Sequence, residues 1–545
     1  MDLKQKVLST SFQFGSEKTF GYSVDLRALL LDEHSEYFEE IIEKIWTHIK
    51  AWDPEIFVGK GVGSFPLLIG LKLRAHADGK KIPVLSVRDA RKNRGNFKKI
   101  VEGPTPENLA GKSRAVFIDD IFQKGNTYKS TVKTCFEEGF NLTFVGIAVI
   151  FDFWDSSRQY VAKKFPFYSI FKRHDLGLTR KDDNLPTLLD KLSWRLHTYH
   201  RGPNFMPIKS LPVIHDARLF LGNDNTAFYC FDVQSGNLLW SHESRLPTVK
   251  GTACVANFFE DNVFYTSYDG TVRSINYKTG KLNWAVKADL NLHSSIEIDK
   301  ERRQLFLGTE WDKQDTSYGR GDYVSLCLDT GYEIWRTKTR GMIPASPTYC
   351  EKYDLIICGN NDFNIYVLDP DDGTIINKLP TKGEVKGKPA LSHNQKIAVC
   401  QTVTGHVYAF KPTGKLLWER KVCKDAIFPH PLIWDDTVYV TSTINIIFAL
   451  DLYTGFIKWV CNLRGFTGWG VIRVGNHILS LTHNGFVVLI DRFTGKKISS
   501  DHLTKKYNLD GILCYQPPAF DGENLIIVTN NKGILSFKVN PNVFD

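Results

Sequence analysis

Residues 115–127, AVFIDDIFQKGNT, set two adjacent carboxylates, Asp119 and Asp120, directly behind an apolar run and follow them with a glycine, an asparagine and a threonine. Neighbouring side chains of an extended segment point to opposite sides. The two acids therefore suit hydroxyls and a hydrated cation better than a shared proton. Gly125, Asn126 and Thr127 would open a helix with unbonded backbone N–H groups and a hydroxyl, which makes an anion site. Taken alone, the pattern equally describes a solvated turn after a buried strand.

Two flanking segments sharpen it. FVGKGVGS, residues 57–64, places Lys60 and Gly61 in a glycine-rich stretch that reads as a strand leaving into a second anion-cradling loop. VRDARKNRGNFKK, residues 87–99, carries Arg88, Arg91, Lys92, Arg94, Lys98 and Lys99 against the single acid Asp89, and reads as a loop able to close over a polyanion. The elements that must position these residues alternate. EYFEEIIEKIWTHIKAW has helical apolar spacing, a strand follows at PEIFVGK, and helices and strands continue to FPFYSIFKR. Such alternation predicts an α/β unit, a parallel sheet with helices on both faces and ligands at the carboxyl ends of its strands.

The C-terminal part is different. SGNLLW, TGKLNW, TGYEIW, DGTIIN, TGKLLW, TGFIKW and TGKKIS place Gly236, Gly280, Gly331, Gly373, Gly414, Gly455 and Gly495 at spacings of 44, 51, 42, 41, 41 and 40 residues. Each glycine follows two alternating strands, so the repeat predicts an all-β propeller. An eighth strand pair ends the chain without its own TGxxxW strand. Eight blades closed by a strand within residues 203–211 is the preferred count, and seven the alternative. Trp240, Trp284, Trp335, Trp418 and Trp459 read as packing between blades, with Asn377 and Ser499 in two of the seats. The 51-residue spacing holds an insertion, TEWDKQDTSYGRGDYV, expected to project from one rim. Between the parts, Leu185, Leu188, Leu189, Leu192 and Leu196 have helical spacing. The expected division is 1–178, a helical linker 179–204, and a propeller 205–545.

Composition narrows the classes. A formal charge of +9 over 545 residues, with no like-charged tail, makes nucleic acid an unfavoured partner. No run of eighteen apolar residues occurs, so no membrane span is expected and a cytoplasmic location is the default. Ten scattered cysteines without a CxxC pair indicate neither zinc nor a disulfide framework.

Residues 10–178 resemble the type I phosphoribosyltransferases, most closely the orotate enzymes. VFIDDIFQKGNT matches that family's ribose 5-phosphate motif, and residues 87–103 its flexible loop. The resemblance implies Mg²⁺-dependent transfer of a phosphoribosyl group between phosphoribosyl pyrophosphate and an acceptor, on a homodimer. Asp119 and Asp120 would contact the ribose hydroxyls and Mg²⁺. Gly125, Asn126 and Thr127 would hold the 5-phosphate, Lys60 and Gly61 the pyrophosphate, and Arg88, Lys92 and Arg94 the departing pyrophosphate. Gln123 and Lys124 replace an acid and a small residue of relatives, leaving the acceptor open. A sensor of nucleotide or phosphoribosyl pyrophosphate signalling through the propeller, suited to a defence system, is the alternative. The repeats resemble the quinoprotein-type propellers. Without that group's adjacent cysteines no pyrroloquinoline quinone is expected, and the propeller reads as a scaffold or recognition module with a protein partner at its rim.

Overall fold

The computed structural model describes the chain except residues 1, 15–21, 32–34, 89–99, 110, 124, 154–164, 179–184, 197–209, 223–226, 244–256, 312–318, 468–469 and 545. The chain divides into two compact units, one of Met1–Gln13 with Tyr22–Thr179 and one centred on Arg180–Asp545.

The helices of the first unit are α1 (Leu3–Thr10), α2 (Arg27–Leu31), α3 (Ser35–Ile49), α4 (Gly61–Ala77) and α5 (Asn126–Glu137). Its strands are β1 (Phe12–Phe14), β2 (Tyr22–Val24), β3 (Ile56–Lys60), β4 (Val84–Val87), β5 (Val101–Glu102), β6 (Arg114–Phe122), β7 (Thr143–Asp152) and β8 (Phe167–Lys172). Strands β3 to β8 form one sheet in the order β5-β4-β3-β6-β7-β8. All neighbours are parallel except the edge pair β4 and β5. Parallel strands are apolar on both faces because helices cover both. Ile56, Val58 and Phe117 pack with Tyr128 and Cys135 of α5. On the other face Phe57 meets the buried ring of Trp46 from α3, edge to face at 6.3 Å.

Two local expectations change here. GVG does not leave β3 as a loop; Gly61, at φ 78°, begins α4 at once. The acids do not sit where strand becomes loop either. Asp119 and Asp120 lie inside β6, but β6 pairs with β3 only as far as Val58 and Phe117, so they stand past the end of that neighbour.

The second unit is an eight-bladed β-propeller, each blade a four-stranded antiparallel sheet. Seven blades are consecutive, at residues 213–243, 257–287, 297–338, 348–380, 390–421, 432–462 and 472–502. The eighth joins residues 519–539 to β9 (Leu189–Leu196), which pairs antiparallel with Ile534–Val539. The closing strand is thus β9 and not residues 203–211, of which 203–209 lie outside the described residues. The helix expected over residues 184–200 of the linker is instead, at Leu189–Leu196, this strand. Bulges at Asp190 and Ser193, each residue inserted opposite its partner strand, stretch the apolar spacing to three and imitate a helix.

The repeat glycines and tryptophans act as pairs between blades. Every repeat glycine lies at positive φ, from 70° at Gly455 to 89° at Gly414, and the preceding blade's indole rests against each except Gly414, which meets the Asn377 amide. Trp240 also donates its indole N–H to the carbonyl of Tyr277, Trp284 to Leu328, Trp335 to Pro370, Trp418 to Leu452 and Trp459 to Arg492, at 2.8–3.1 Å. Asn377 donates its amide instead to Thr413, directly before Gly414, and Ser499 its hydroxyl to Pro186. Trp194 of β9 fills the eighth seat, donating to Val233.

Candidate functional site

Lys60, Gly61, Asp119, Asp120 and Gly125 stand toward the carboxyl ends of β3 and β6. Asp119 is 5 % exposed. Burial first, and the charge of Asp120 second, hold its carboxyl well above the ordinary carboxylate range. Its Oδ1 accepts the Asp120 amide at 3.0 Å, and Asp120 Oδ1 accepts the Ile121 amide at 2.9 Å. The Asp120 carboxylate lies tight against the first turn of α4. A Cβ on Gly63 would come within 2.4 Å of it, so glycine is required there for the approach. Lys60, at the N-cap of α4, donates to Ser130 Oγ at 3.2 Å, which ties β3 to α5. Gly125, at φ 71°, is the N-cap of α5, and the Thr127 carbonyl accepts the hydroxyls of Ser130 and Thr131. Asn126, Thr127 and Gln123 are exposed beside it.

Other expected members stand elsewhere. Arg88 is ion-paired to Glu102 on the edge strand β5. Lys92, Arg94 and Lys124 lie outside the described residues. Arg27 of α2 was missed: Asp25 holds its guanidinium, and it also feels the charge of Asp120. No sequence signal marks it, because ninety residues separate it from the acids. Among the described residues no group of three or more His, Cys, Asp or Glu side chains stands together as a cation cage.

In the propeller, the first strands of successive blades lie against one another around the axis. Lys388, two residues ahead of the fifth blade, reaches Glu297 of the third at 2.6 Å. Glu297 also accepts the Tyr349 amide at 3.3 Å, so three blades share this pair. The ring just outside it repeats one bond. The Ser295 amide donates to Ser346 Oγ, and the Lys388 amide to His430 Nδ1. The insertion of the third blade, of which residues 312–318 lie outside the described residues, carries Trp311, whose indole N–H is held by Asp289 and whose ring lies under Arg320 at 5.3 Å. His293 beside it contacts Glu310 at 2.6 Å and the Tyr268 ring at 4.4 Å.

The family model described as outer membrane protein assembly factor BamB matches residues 190–349 and 361–543. Among similar proteins, a BamB of Legionella pneumophila is 31% identical over 193 residues, covering 33% of this chain and 47% of its own. A 1-butanol dehydrogenase (cytochrome c) of Thauera butanivorans is 23% identical over 316 residues, covering 54% and 41%. The dehydrogenase subunit of a quinone alcohol dehydrogenase of Komagataeibacter europaeus is 26% identical over 164 residues, covering 27% and 21%. The chain thus spans less than half of each of these relatives. The computationally designed Ika8 protein shares the propeller fold, with a TM-score of 0.50 and 14% identity over 62% of this chain and 97% of that one.

These names overturn phosphoribosyl transfer as the function of the chain, and with it the phosphoribosyl pyrophosphate or nucleotide partner, the sensor alternative and Mg²⁺ as cofactor. They equally overturn the expectation that a quinone is foreign to the chain. A carboxylate-bearing quinone needs cations able to meet it. Lys388 is held by Glu297, Arg473 bonds the Ile433 carbonyl over the Trp434 ring, and Arg492 pairs with Asp435. These side chains do not fit such a group as they stand, and no step is derived through it. The propeller and its closing strand fall almost wholly within the matched residues: the chain belongs to the family described as outer membrane protein assembly factor BamB.

Proposed function

We propose that the propeller is a protein-recognition module whose partner docks on the rim formed by the second and third blades. The carrying observation is the third-blade insertion. It presents Trp311 stacked beneath Arg320, next to the Tyr268 and His293 rings, on a rigid propeller base. Tryptophan, tyrosine and arginine dominate binding energy at protein interfaces because each buries much area at low entropy cost. Kinship with BamB, itself named an assembly factor, supports the same reading.

For the first unit, we propose kinship with the phosphoribosyltransferase fold as architecture, not as activity. The sheet order, Lys60 and Gly61 at the end of β3, Asp119 and Asp120 beyond the end of that neighbour, and Gly125–Thr127 at the start of α5 support it. Gly61, Gly125, Asn126 and Thr127 would hold a small oxyanion there through backbone N–H groups. A cytoplasmic location belongs to the proposal too, supported by nine described cysteines that are all thiols.

The test is a photo-crosslinking residue at position 311 in the native host, with a control at Gln234 on another turn of the propeller. The reading expects one defined protein adduct at 311 that Arg320→Ala reduces at least tenfold. An adduct equally strong at both positions, or none at 311, rejects it.

A further inference from the structure

The first unit has a strongly basic concavity at the end of its sheet opposite Asp119 and Lys60. Helix α4 runs back from the carboxyl end of β3, and its last turns meet the segments that lead into β4 and β6. Between them lies a groove of about 670 Å³. Lys72 and His76 of α4, Lys80 and Lys81 ahead of β4, and Lys112 ahead of β6 line it, and among the described residues no acidic side chain does. Its floor is apolar. Ile82 and Leu109 are 4% and 6% exposed, and Leu73 lines the same groove at 66%.

The nearby carboxylates are already committed. Glu43 and Asp78 both hold Arg74, and Asp53 holds Lys80 at 3.2 Å. Lys112 gives its ammonium to the Lys81 carbonyl at 2.9 Å, which fixes it in the wall without neutralising it. The carbonyl end of α4 favours His76, in its last turn, but that effect fades beyond the turn and does not account for Lys81 or Lys112. Lys72, Lys81 and Lys112 therefore share one concavity with no carboxylate bonded to any of them among the described residues, and like charges so placed repel.

We propose that this groove binds an acidic peptide segment of another protein, with its carboxylates on the three lysines and an apolar side chain on Ile82 and Leu109. An anion placed there relieves the repulsion, so charge complementarity names the sign of the occupant. The apolar floor names its kind. Nucleic acid would bring bases as well as phosphates, and no aromatic ring lines the groove for a base to stack on. An anionic membrane is flat and cannot follow a concavity to its floor. The groove belongs to the first unit and the proposed rim to the propeller, and neither reading depends on the other.

Fluorescence anisotropy of the full chain with a fluorescein-labelled peptide of repeated Glu-Glu-Leu tests it. Micromolar binding is expected, weakened by added salt. The Gln-Gln-Leu and Glu-Glu-Ser counterparts should each bind at least tenfold more weakly, the first for want of charge and the second for want of an apolar anchor. Lys72→Glu with Lys81→Glu should weaken binding at least tenfold with unchanged circular dichroism, because both side chains are exposed. Lys411→Glu with Lys415→Glu, the same change of charge on exposed lysines of the fifth blade, should leave binding unchanged. The proposal is overturned by no binding of the Glu-Glu-Leu peptide, by equal binding of the Glu-Glu-Ser or Gln-Gln-Leu peptide, or by equal losses in the two double variants. Tighter binding of oligothymidylate or of phosphatidylserine vesicles than of the peptide overturns it too.

Discussion

The ring of Trp194 lies directly on Gly236, so close that a Cβ on the glycine would fall 2.8 Å from the indole. This contact joins β9 to the first blade, and with the Trp194 bond to Val233 at 2.9 Å it closes the propeller. It repeats what Trp240 does to Gly280 and Trp459 to Gly495. Here, however, the two partners belong to the two ends of the ring.

Trp194→Ala should therefore open the closure before the rest of the ring. Losing a half-buried indole and its hydrogen bond costs about 3 kcal/mol. Hydrogen exchange should show β9 amides losing protection while the fourth to sixth blades keep theirs. Uniform loss across all blades, or parent-like protection of β9, would contradict a local seam.

Asn377 marks the converse case. Its amide donates to Thr413 at 2.9 Å, but it lays no ring on Gly414. Asn377→Trp should exchange the Thr413 bond for an indole laid on Gly414 and add aromatic burial, raising the thermal midpoint by about 1–3 °C for a gain near 1 kcal/mol. Calorimetry of the two proteins decides it; a lower midpoint would mean that this seam has no room for an indole.

How much of this was legible follows from which residues carry their own cause. A turn at positive φ needs glycine, and a ring packed on that turn forbids a Cβ, so spacing alone revealed the blades. Asp119 and Asp120 were expected where strand becomes loop, but they lie inside β6 and only its neighbour β3 ends before them, a register that the local sequence does not encode. Strand β9 was not legible, because bulges at Asp190 and Ser193 gave its leucines a helical spacing. Arg27 was not, because only the folded sheet brings it near Asp120. The function of the chain was misread because a short motif in the first unit was weighed above some 340 residues of repeat, which is where the family match lies.

Asp119 should make stability fall as pH rises. Its folded-state pKa lies above the unfolded value, so the folded protein binds the proton more tightly. That contribution is complete below the ordinary value of 3.8 and is lost as pH climbs through the raised pKa. Asp119→Asn, which can still accept the Asp120 amide, should raise the thermal midpoint at pH 8 and lose that advantage toward pH 4. A constant difference across this range would show that Asp119 ionises as it does in the unfolded chain.

His430 should produce the opposite slope. Burial, then the nearby Lys388 ammonium, push its pKa down to about 4. Its Nδ1 accepts the Lys388 amide at 3.2 Å, a bond that protonation of that nitrogen would break. With a folded pKa below the ordinary 6.5, the stability it contributes is whole above pH 6.5 and drains away as pH falls toward 4. A gap of about 2.5 units corresponds to at most about 3 kcal/mol, and solvent access to part of the ring makes 2–3 kcal/mol the expected size. Urea midpoints of the parent should fall between pH 7 and pH 4.5, and those of His430→Gln should fall less. Parallel curves for the two proteins would mean that His430 takes up its proton in the folded propeller as readily as in the unfolded chain.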